Sequence, residues 1–132
     1  MPDRAQVRSV LADPDPTRRL AGFVGITAQV NARTSPVYGI LVSAAASDPD
    51  AAALLEELAH QRQQGQGLLA RSLARAGALR PKLHERDAAD VIHALMSPEV
   101  YRLLVRDRGW HLERYEQWLS ALLIDQLLPA AT

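Results

Sequence analysis

At 132 residues, the chain is long enough for one compact domain that buries roughly two thirds of its unfolded surface. Its 15 basic and 15 acidic side chains cancel, which disfavours binding of nucleic acid or anionic membranes by this chain alone. The absence of cysteine excludes disulfides, thiolate nucleophiles and cysteine-ligated metals, and with no signal peptide or long apolar run it indicates a soluble cytoplasmic protein.

The apolar periodicity of the first half predicts helices, and no segment shows the alternation typical of a β-strand. Residues 2–12 form a predicted short amphipathic helix that ends at the Asp-Pro repeat of residues 13–16. A longer helix then begins near residue 17 and is predicted to end at residues 31–35. Ser35-Pro36 has the pattern of an N-cap and a first-turn proline, so we expect a further short helix to begin there.

The longest predicted helix runs from about residue 48 to residue 76. Its middle, HQRQQGQG at 60–67, is polar and contains two glycines, which indicates a bend or a close approach by another element. Gly77 is the expected C-terminal cap, and residues 77–84 are a predicted loop.

Two more helical stretches complete the chain. The first begins at Glu85, and Ser97-Pro98 is predicted to kink or briefly break it, since proline lacks the backbone donor and serine can cap a new turn. Gly109 ends that stretch, and residues 111–128 form the final helix. The predicted fold class is therefore all-α, an antiparallel bundle of about six helices.

Two segments resemble the C-terminal effector-binding and dimerisation domain of TetR-family bacterial transcription regulators. They are PVYGILVSAAASDPDAAALLEEL at 36–58 and ALMSPEVYRLLVRDRGWHLERYEQWL at 94–119. The similarity spans about Asp15 to Leu128 and lies in packing residues, with no catalytic signature. It departs from the family at His111-Leu112, where a serine-proline cap is expected, so the start of the last helix is predicted to be frayed or altered.

The resemblance implies both a domain division and a function. Residues 1–14 would be the remnant of the helix that connects to an N-terminal helix-turn-helix head, and residues 15–132 the effector-binding and dimerisation domain. A small apolar effector would reorient the two protomers and so control DNA binding by heads that this chain lacks. The chain would then be either a fragment of a longer regulator or a headless paralogue, and DNA would be contacted only through the missing head.

The resemblance and the polar middle of the long helix together indicate an effector pocket. Aromatic and aliphatic side chains with a few polar groups are typical of such cavities, although each residue alone is more often part of a core. The candidate ligand-binding residues are Phe23, Thr27, Val30, Tyr38, Leu41, Gln64, His93, Met96 and Tyr101. For His93, a hydrogen-bonded core histidine and a polar contact in the pocket remain equal alternatives.

The last helix carries more apolar surface than one side of a small bundle can cover. Besides the apolar side that is predicted to face the core, this helix has further large apolar residues on another side. Exposed apolar surface of this kind is typical of interfaces between proteins. We therefore expect a homodimer with two-fold symmetry through this helix and the one before it. The candidate interface residues are Tyr115, Trp118, Leu119, Leu122, Leu123 and Gln126.

Catalysis and cofactor binding have little support in the sequence. There is no nucleophile elbow and no phosphate-binding glycine loop, so the chain is not predicted to be an enzyme and no cofactor is expected. The helix-turn-helix-like pattern at 70–79 is followed by Pro81, which would break a recognition helix. Two alternatives stay open, namely a helical dimerisation module without ligand and a small helical metal-binding protein. The latter would use two pairs with helical spacing, Glu57 with His60 and Asp90 with His93.

Overall fold

The structure is a computed structural model that describes residues 4–130, and the predicted start of the first helix at residue 2 lies outside that range. Its elements are α1 (Arg4–Leu11), α2 (Pro16–Ala45), α3 (Pro49–Arg75), α4 (Glu85–Leu95), the one-turn helix α5 (Pro98–Tyr101), a π-helix (Arg102–Asp107) and α6 (Leu112–Leu127). The all-α fold class is confirmed. The count of about six helices is not, because residues 4–130 contain five helices of eight residues or more and one short α-π segment.

Helix α2 is continuous, so the predicted helix end before Ser35-Pro36 is wrong. Pro36 lies inside this 30-residue helix, where it removes one backbone hydrogen bond. The buried face of α2 continues past the proline, from fully buried Leu20 and Val24 to Tyr38, which is 9% exposed. Packing on both sides of the proline therefore outweighs the loss of one hydrogen bond.

Helix α2 is the central element of the bundle, and α1, α3, α5 and α6 all pack against it. The core is made of leucine, valine and aromatic side chains from α2, α3, α4 and α6, with Ile92 of α4 and Met96 fully buried among them. Burying such a side chain contributes about 1.5–3 kcal/mol to the free energy of folding. The amphipathic stripes predicted from the sequence thus form one common core.

Two arginines fix the ends of helices to one another. The buried Arg19 donates through Nε and Nη2 to the Asp13 carbonyl, at 3.0 and 2.7 Å, and through Nη1 to the carbonyl and hydroxyl of Ser72, at 3.2 and 3.1 Å. Arg80 donates through Nη2 to the Asp125 carbonyl at 2.6 Å. Cations at helix C-termini are favourable because the last carbonyls are unpaired. These contacts attach the start of α2 to the end of α3, and the loop before α4 to the end of α6.

Helix α1 lies very close to α2 at one glycine. A Cβ placed on Gly22 would lie 3.1 Å from both methyl carbons of Val10, which is tighter than ordinary van der Waals contact. By contrast, a Cβ on Gly65 or Gly67 would have no neighbour within 4 Å. No element thus approaches closely at these two glycines, although Gln66 between them contacts α4, and α3 passes through residues 60–67 without interruption.

The helical stretch after α4 breaks at the predicted place. Helix α4 ends at Leu95, and the extended Ser97 caps the next turn, its Oγ accepting a hydrogen bond from the backbone nitrogen of Val100 at 3.2 Å. The prediction of an ordinary helix up to Gly109 is wrong in one respect, because residues Arg102–Asp107 are π-helical. Gly109, with φ of 72°, ends the segment as expected.

Two smaller features complete the description. The side chain of His111 makes no cap hydrogen bond, but α6 begins regularly, and the His111 carbonyl accepts from the backbone nitrogen of Tyr115 at 3.1 Å. Within residues 4–130, no helix has both the length and the hydropathy needed to cross a membrane.

Candidate functional site

Three polar residues on α2, Thr27, Asn31 and Tyr38, contact the interrupted segment between Met96 and Arg102, and Ser35 lies on the same side of the helix; we name these four residues the polar seam. Their spacing of four, four and three residues places them on one side of a helix. Asn31, Ser35 and Tyr38 are buried, with exposed fractions of 3, 6 and 9%. The second half of α2 therefore buries polar groups where its first half buries an apolar core.

The seam contacts the interruption through side-chain hydrogen bonds. Thr27 Oγ1 lies 3.6 Å from the Met96 sulfur, and Asn31 Nδ2 donates to the Met96 carbonyl at 3.4 Å. The Tyr38 hydroxyl donates a short hydrogen bond to Glu99 Oε1. These bonds supply partners for backbone and side-chain groups that the break between α4 and α5 would otherwise leave unpaired.

Tyr38 also lies between two arginines. The Cζ atoms of Arg62 on α3 and Arg102 in the π-helix are each 5.9 Å from its ring centroid, within the range of a cation–π contact. Burial and the hydrogen bond to Glu99 raise the pKa of Tyr38 to about 12. Burial opposes ionisation of Glu99, but the Tyr38 hydrogen bond and the charge of Arg62 outweigh it and hold the Glu99 pKa below its usual value.

Two buried polar atoms at this site have no hydrogen-bond partner among the described residues. They are the hydroxyl oxygen of Ser35 in the seam and Nε of Arg62, which packs over Tyr38. An unpaired buried polar atom costs about 1–3 kcal/mol, so the site retains unused hydrogen-bonding capacity. A ligand with a polar group could use that capacity.

A second polar contact lies between α3 and α4. His93 Nδ1 is 2.9 Å from Oε1 of Gln66, and Gln66 is only 5% exposed. Since the amide oxygen accepts, this geometry requires the proton of His93 on Nδ1. The structure thus shows His93 as a hydrogen-bonded residue of the helix interface, and sequence reasoning missed its partner Gln66.

The structure brings together only some of the predicted pocket residues. Thr27 and Tyr38 lie in the seam, and Met96 and Tyr101 lie in the interruption that it contacts; Met96 and Tyr101 also belong, with Phe23, to the hydrophobic core. Val30 and Leu41 are half-buried on α2. Gln64 is exposed on α3, and its Nε2 lies 3.2 Å from Nε2 of His60. Asn31 and Ser35 were missed, although their four-residue spacing after Thr27 is visible in the sequence.

The candidate dimer residues separate into two groups. Tyr115, Leu119 and Leu123 have no exposed surface, so they belong to the core of the single chain and cannot form a dimer contact in this conformation. Gln126 is exposed and Leu122 is half-buried. A dimer through α6 would therefore use its outer side only.

The outer side of α6 includes a group of packed aromatic side chains. Trp118 is half-buried and contacts Trp110 edge to face, with ring centroids 5.9 Å apart. The guanidinium carbon of Arg114 lies 4.0 Å from the Trp110 ring centroid. Part of the apolar surface that the sequence assigned to a partner is thus covered within the chain.

An open groove lies between the C-terminal half of α2 and the π-helix. Its volume is about 680 Å³, and it is lined by Pro36, Gly39, Ile40, Ser43, Ala44, Arg102 and Arg106. None of the nine predicted pocket residues lines it. Ile40 and Val37, on the same half of α2, are 68% and 58% exposed, so a strongly apolar helix surface adjoins the two arginines.

The two pairs suggested for a metal site do not form one. Within residues 4–130, no group of three or more histidine, aspartate or glutamate side chains is placed to hold a metal ion. Glu57 instead accepts a hydrogen bond from Gln61 at 3.3 Å, and Asp90 is exposed.

Comparison of the chain with protein-family models, with curated proteins and with solved structures finds no match in any of the three.

Proposed function

We propose that the chain is the ligand-sensing and dimerisation domain of a TetR-like transcriptional regulator and acts as a cytoplasmic homodimer. The observation that carries this proposal is the polar seam, where Asn31 is buried against an interrupted helix and the buried Ser35 hydroxyl has no partner among the described residues. Interiors of helical bundles are usually apolar, so buried polar groups of this kind are typical of a site that binds something.

In this proposal, a small and largely apolar effector binds between α2 and the segment from Met96 to Arg102. Its polar group would pair with Ser35, and its apolar part would replace contacts of Thr27 and Tyr101. Because the ligand binds one arrangement of α2 and this segment better than others, it would increase the population of that arrangement. A helix-turn-helix head joined at the α1 end would then bind DNA with a changed affinity.

A thermal-shift screen against small apolar compounds tests the ligand. A stabiliser at about 100 times its dissociation constant adds roughly 2.7 kcal/mol to the free energy of unfolding. Ser35→Ala and Thr27→Val should reduce the shift, and Ser120→Ala, a half-buried serine of α6, should leave it unchanged. A screen with no stabiliser, or a stabiliser indifferent to both seam substitutions, would contradict a ligand site at the seam.

Sedimentation velocity tests the dimer. The half-buried side chains of Trp118 and Leu122 are the apolar groups of α6 that a partner would cover. We expect a dimer for the unmodified chain and a monomer for Trp118→Glu with Leu122→Glu. Leu54→Glu is the matched control, because Leu54 is an exposed leucine on a different helix, α3. A dimer that survives the double substitution would refute the interface.

A helical dimerisation module without ligand is the second candidate. The half-buried apolar side of α6 supports it independently of the seam. It would be preferred if the chain is a dimer and the seam substitutions change stability but no compound binds.

A further inference from the structure

We infer that the groove beside the π-helix is a binding site for an amphipathic oxyanion, an aliphatic chain that ends in a carboxylate or a phosphate. The groove lies next to the polar seam and is lined by none of its four residues, although Arg102 contacts both the groove and Tyr38 of the seam. The inference does not rest on a TetR-like role, since the groove would bind the same ligand in a helical domain of any function.

The charge of the site comes from two arginines that converge on one glycine. A Cβ on Gly39 would lie 3.3 Å from Nη2 of Arg102 and 3.6 Å from Nη1 of Arg106, so the two nitrogens lie within about 7 Å of each other. Within residues 4–130, neither arginine forms an ion pair, and the pairs that exist join Arg18 to aspartates near the start of α2. Two unpaired like charges at this separation repel, and an oxyanion between them would offset the repulsion.

The backbone at this point explains why both guanidinium groups can lie there. Glycine at position 39 leaves the surface of α2 open, whereas a Cβ there would require the end of Arg102 to shift by a few tenths of an ångström. In a π-helix each hydrogen bond spans five residues, so side chains four apart stay on nearly the same side. Arg102 and Arg106 have that spacing in the π-helical segment and line the groove together.

The other residues that line the groove indicate that the rest of the ligand is apolar. Pro36, Ile40 and Ala44 provide an apolar wall on α2, and no acidic residue lines the groove. An aliphatic chain along Ile40 would cover a side chain that is now 68% exposed. The ligand therefore needs an anionic end and an apolar body.

A second copy of the chain fits the groove less well. A two-fold contact across it would place Arg102 and Arg106 of both protomers near one another, and the lining offers no acidic side chain to neutralise them. Charge complementarity thus favours a small anion over self-association.

Isothermal titration of the full chain with octanoate, octyl phosphate, octanol and inorganic phosphate tests the site. Binding of octanoate or octyl phosphate, at least tenfold tighter than octanol and than inorganic phosphate, is the expected result. Arg102→Gln with Arg106→Gln should weaken the binding about a hundredfold, since each charge-assisted contact contributes roughly a factor of ten. Gly39→Val, which fills the groove without changing charge, should weaken it as well.

Arg71→Gln with Arg75→Gln is the matched control. Both arginines are exposed on α3 with the same four-residue spacing, near the end of α3 that Arg19 contacts through Ser72. Binding should be unchanged in this variant, and an equal loss would mean that only net charge matters, which overturns the site. Octanol binding as tightly as octanoate, inorganic phosphate binding as tightly as octyl phosphate, or a dimer that Ile40→Glu dissociates would each overturn it too.

Discussion

Replacing Ser35 by alanine should stabilise the protein although the serine is buried. The Ser35 hydroxyl has no hydrogen-bond partner among the described residues, and the residue lies inside α2. Removing an unpaired buried hydroxyl gains about 1–3 kcal/mol, and alanine is the better helix former by roughly 0.5 kcal/mol. We therefore expect the free energy of unfolding to rise by about 2 kcal/mol, which corresponds to an increase in Tm of roughly 6–10 °C.

Urea denaturation of Ser35→Ala and Ser43→Ala, followed by circular dichroism, measures this effect. Ser43 is exposed on the same helix, so its substitution reports helix propensity alone and should gain only about 0.5 kcal/mol. If Ser35→Ala gains no more than the control, or is destabilising, its hydroxyl has a partner in solution. The claim that the seam holds unused hydrogen-bonding capacity would then be refuted.

The remaining predictions concern the core, the arginine contacts and the buried phenol. Leu119→Ala should lower the free energy of unfolding by about 2–5 kcal/mol, because Leu119 is fully buried. Leu122→Ala should lower it by much less in a monomer, since Leu122 is only half-buried. Urea denaturation at low protein concentration measures both changes. Arg19→Met should cost about 1–3 kcal/mol, because it leaves the Asp13 carbonyl unpaired while the Ser72 carbonyl keeps its bond from Ala76 N; Arg18→Met, on an exposed side chain, should change the midpoint little. Burial raises the pKa of Tyr115 to about 12. Because the phenol of the unfolded chain ionises first, the free energy of unfolding should fall as the pH rises from about 10 to 12. Tyr115→Phe should remove up to roughly 2–3 kcal/mol of that loss, and an unchanged alkaline slope in the variant would contradict this prediction.

Two serine-proline pairs show what the sequence can and cannot predict. Both Ser35-Pro36 and Ser97-Pro98 have the pattern of a helix start, yet only the second is one. The two pairs have nearly the same local sequence pattern, a serine that can cap a helix followed by a first-turn proline. The difference is tertiary, because buried residues lie on both sides of Pro36 in α2, whereas the carbonyl of Met96 before the second pair accepts a hydrogen bond from Asn31. No pattern within a few residues contains that information.

The candidate site, too, could be predicted from local sequence patterns only in part. Thr27, Tyr38 and Met96 are predicted from the family resemblance and from their residue types, and the four-residue spacing after Thr27 could have extended the prediction to Asn31 and Ser35. The groove could not have been found in this way. It depends on a π-helix, whose hydrogen-bond register has no composition signal, and on the chance that two arginines in it converge on a glycine of another helix.

The close contact between Val10 and Gly22 means that α1 must move together with the start of α2. With 3.1 Å between the Val10 methyl carbons and the Cβ position of Gly22, there is little room for the two helices to slide past each other. At 1.5 Å per residue, the 30 residues of α2 are about 45 Å long, so a tilt of about 5° at one end moves the other by roughly 4 Å. The polar seam lies 11 to 22 residues from the start of α2, about 16 to 33 Å, so the same tilt about the seam moves that start by roughly 1.5 to 3 Å, and α1 would move with it.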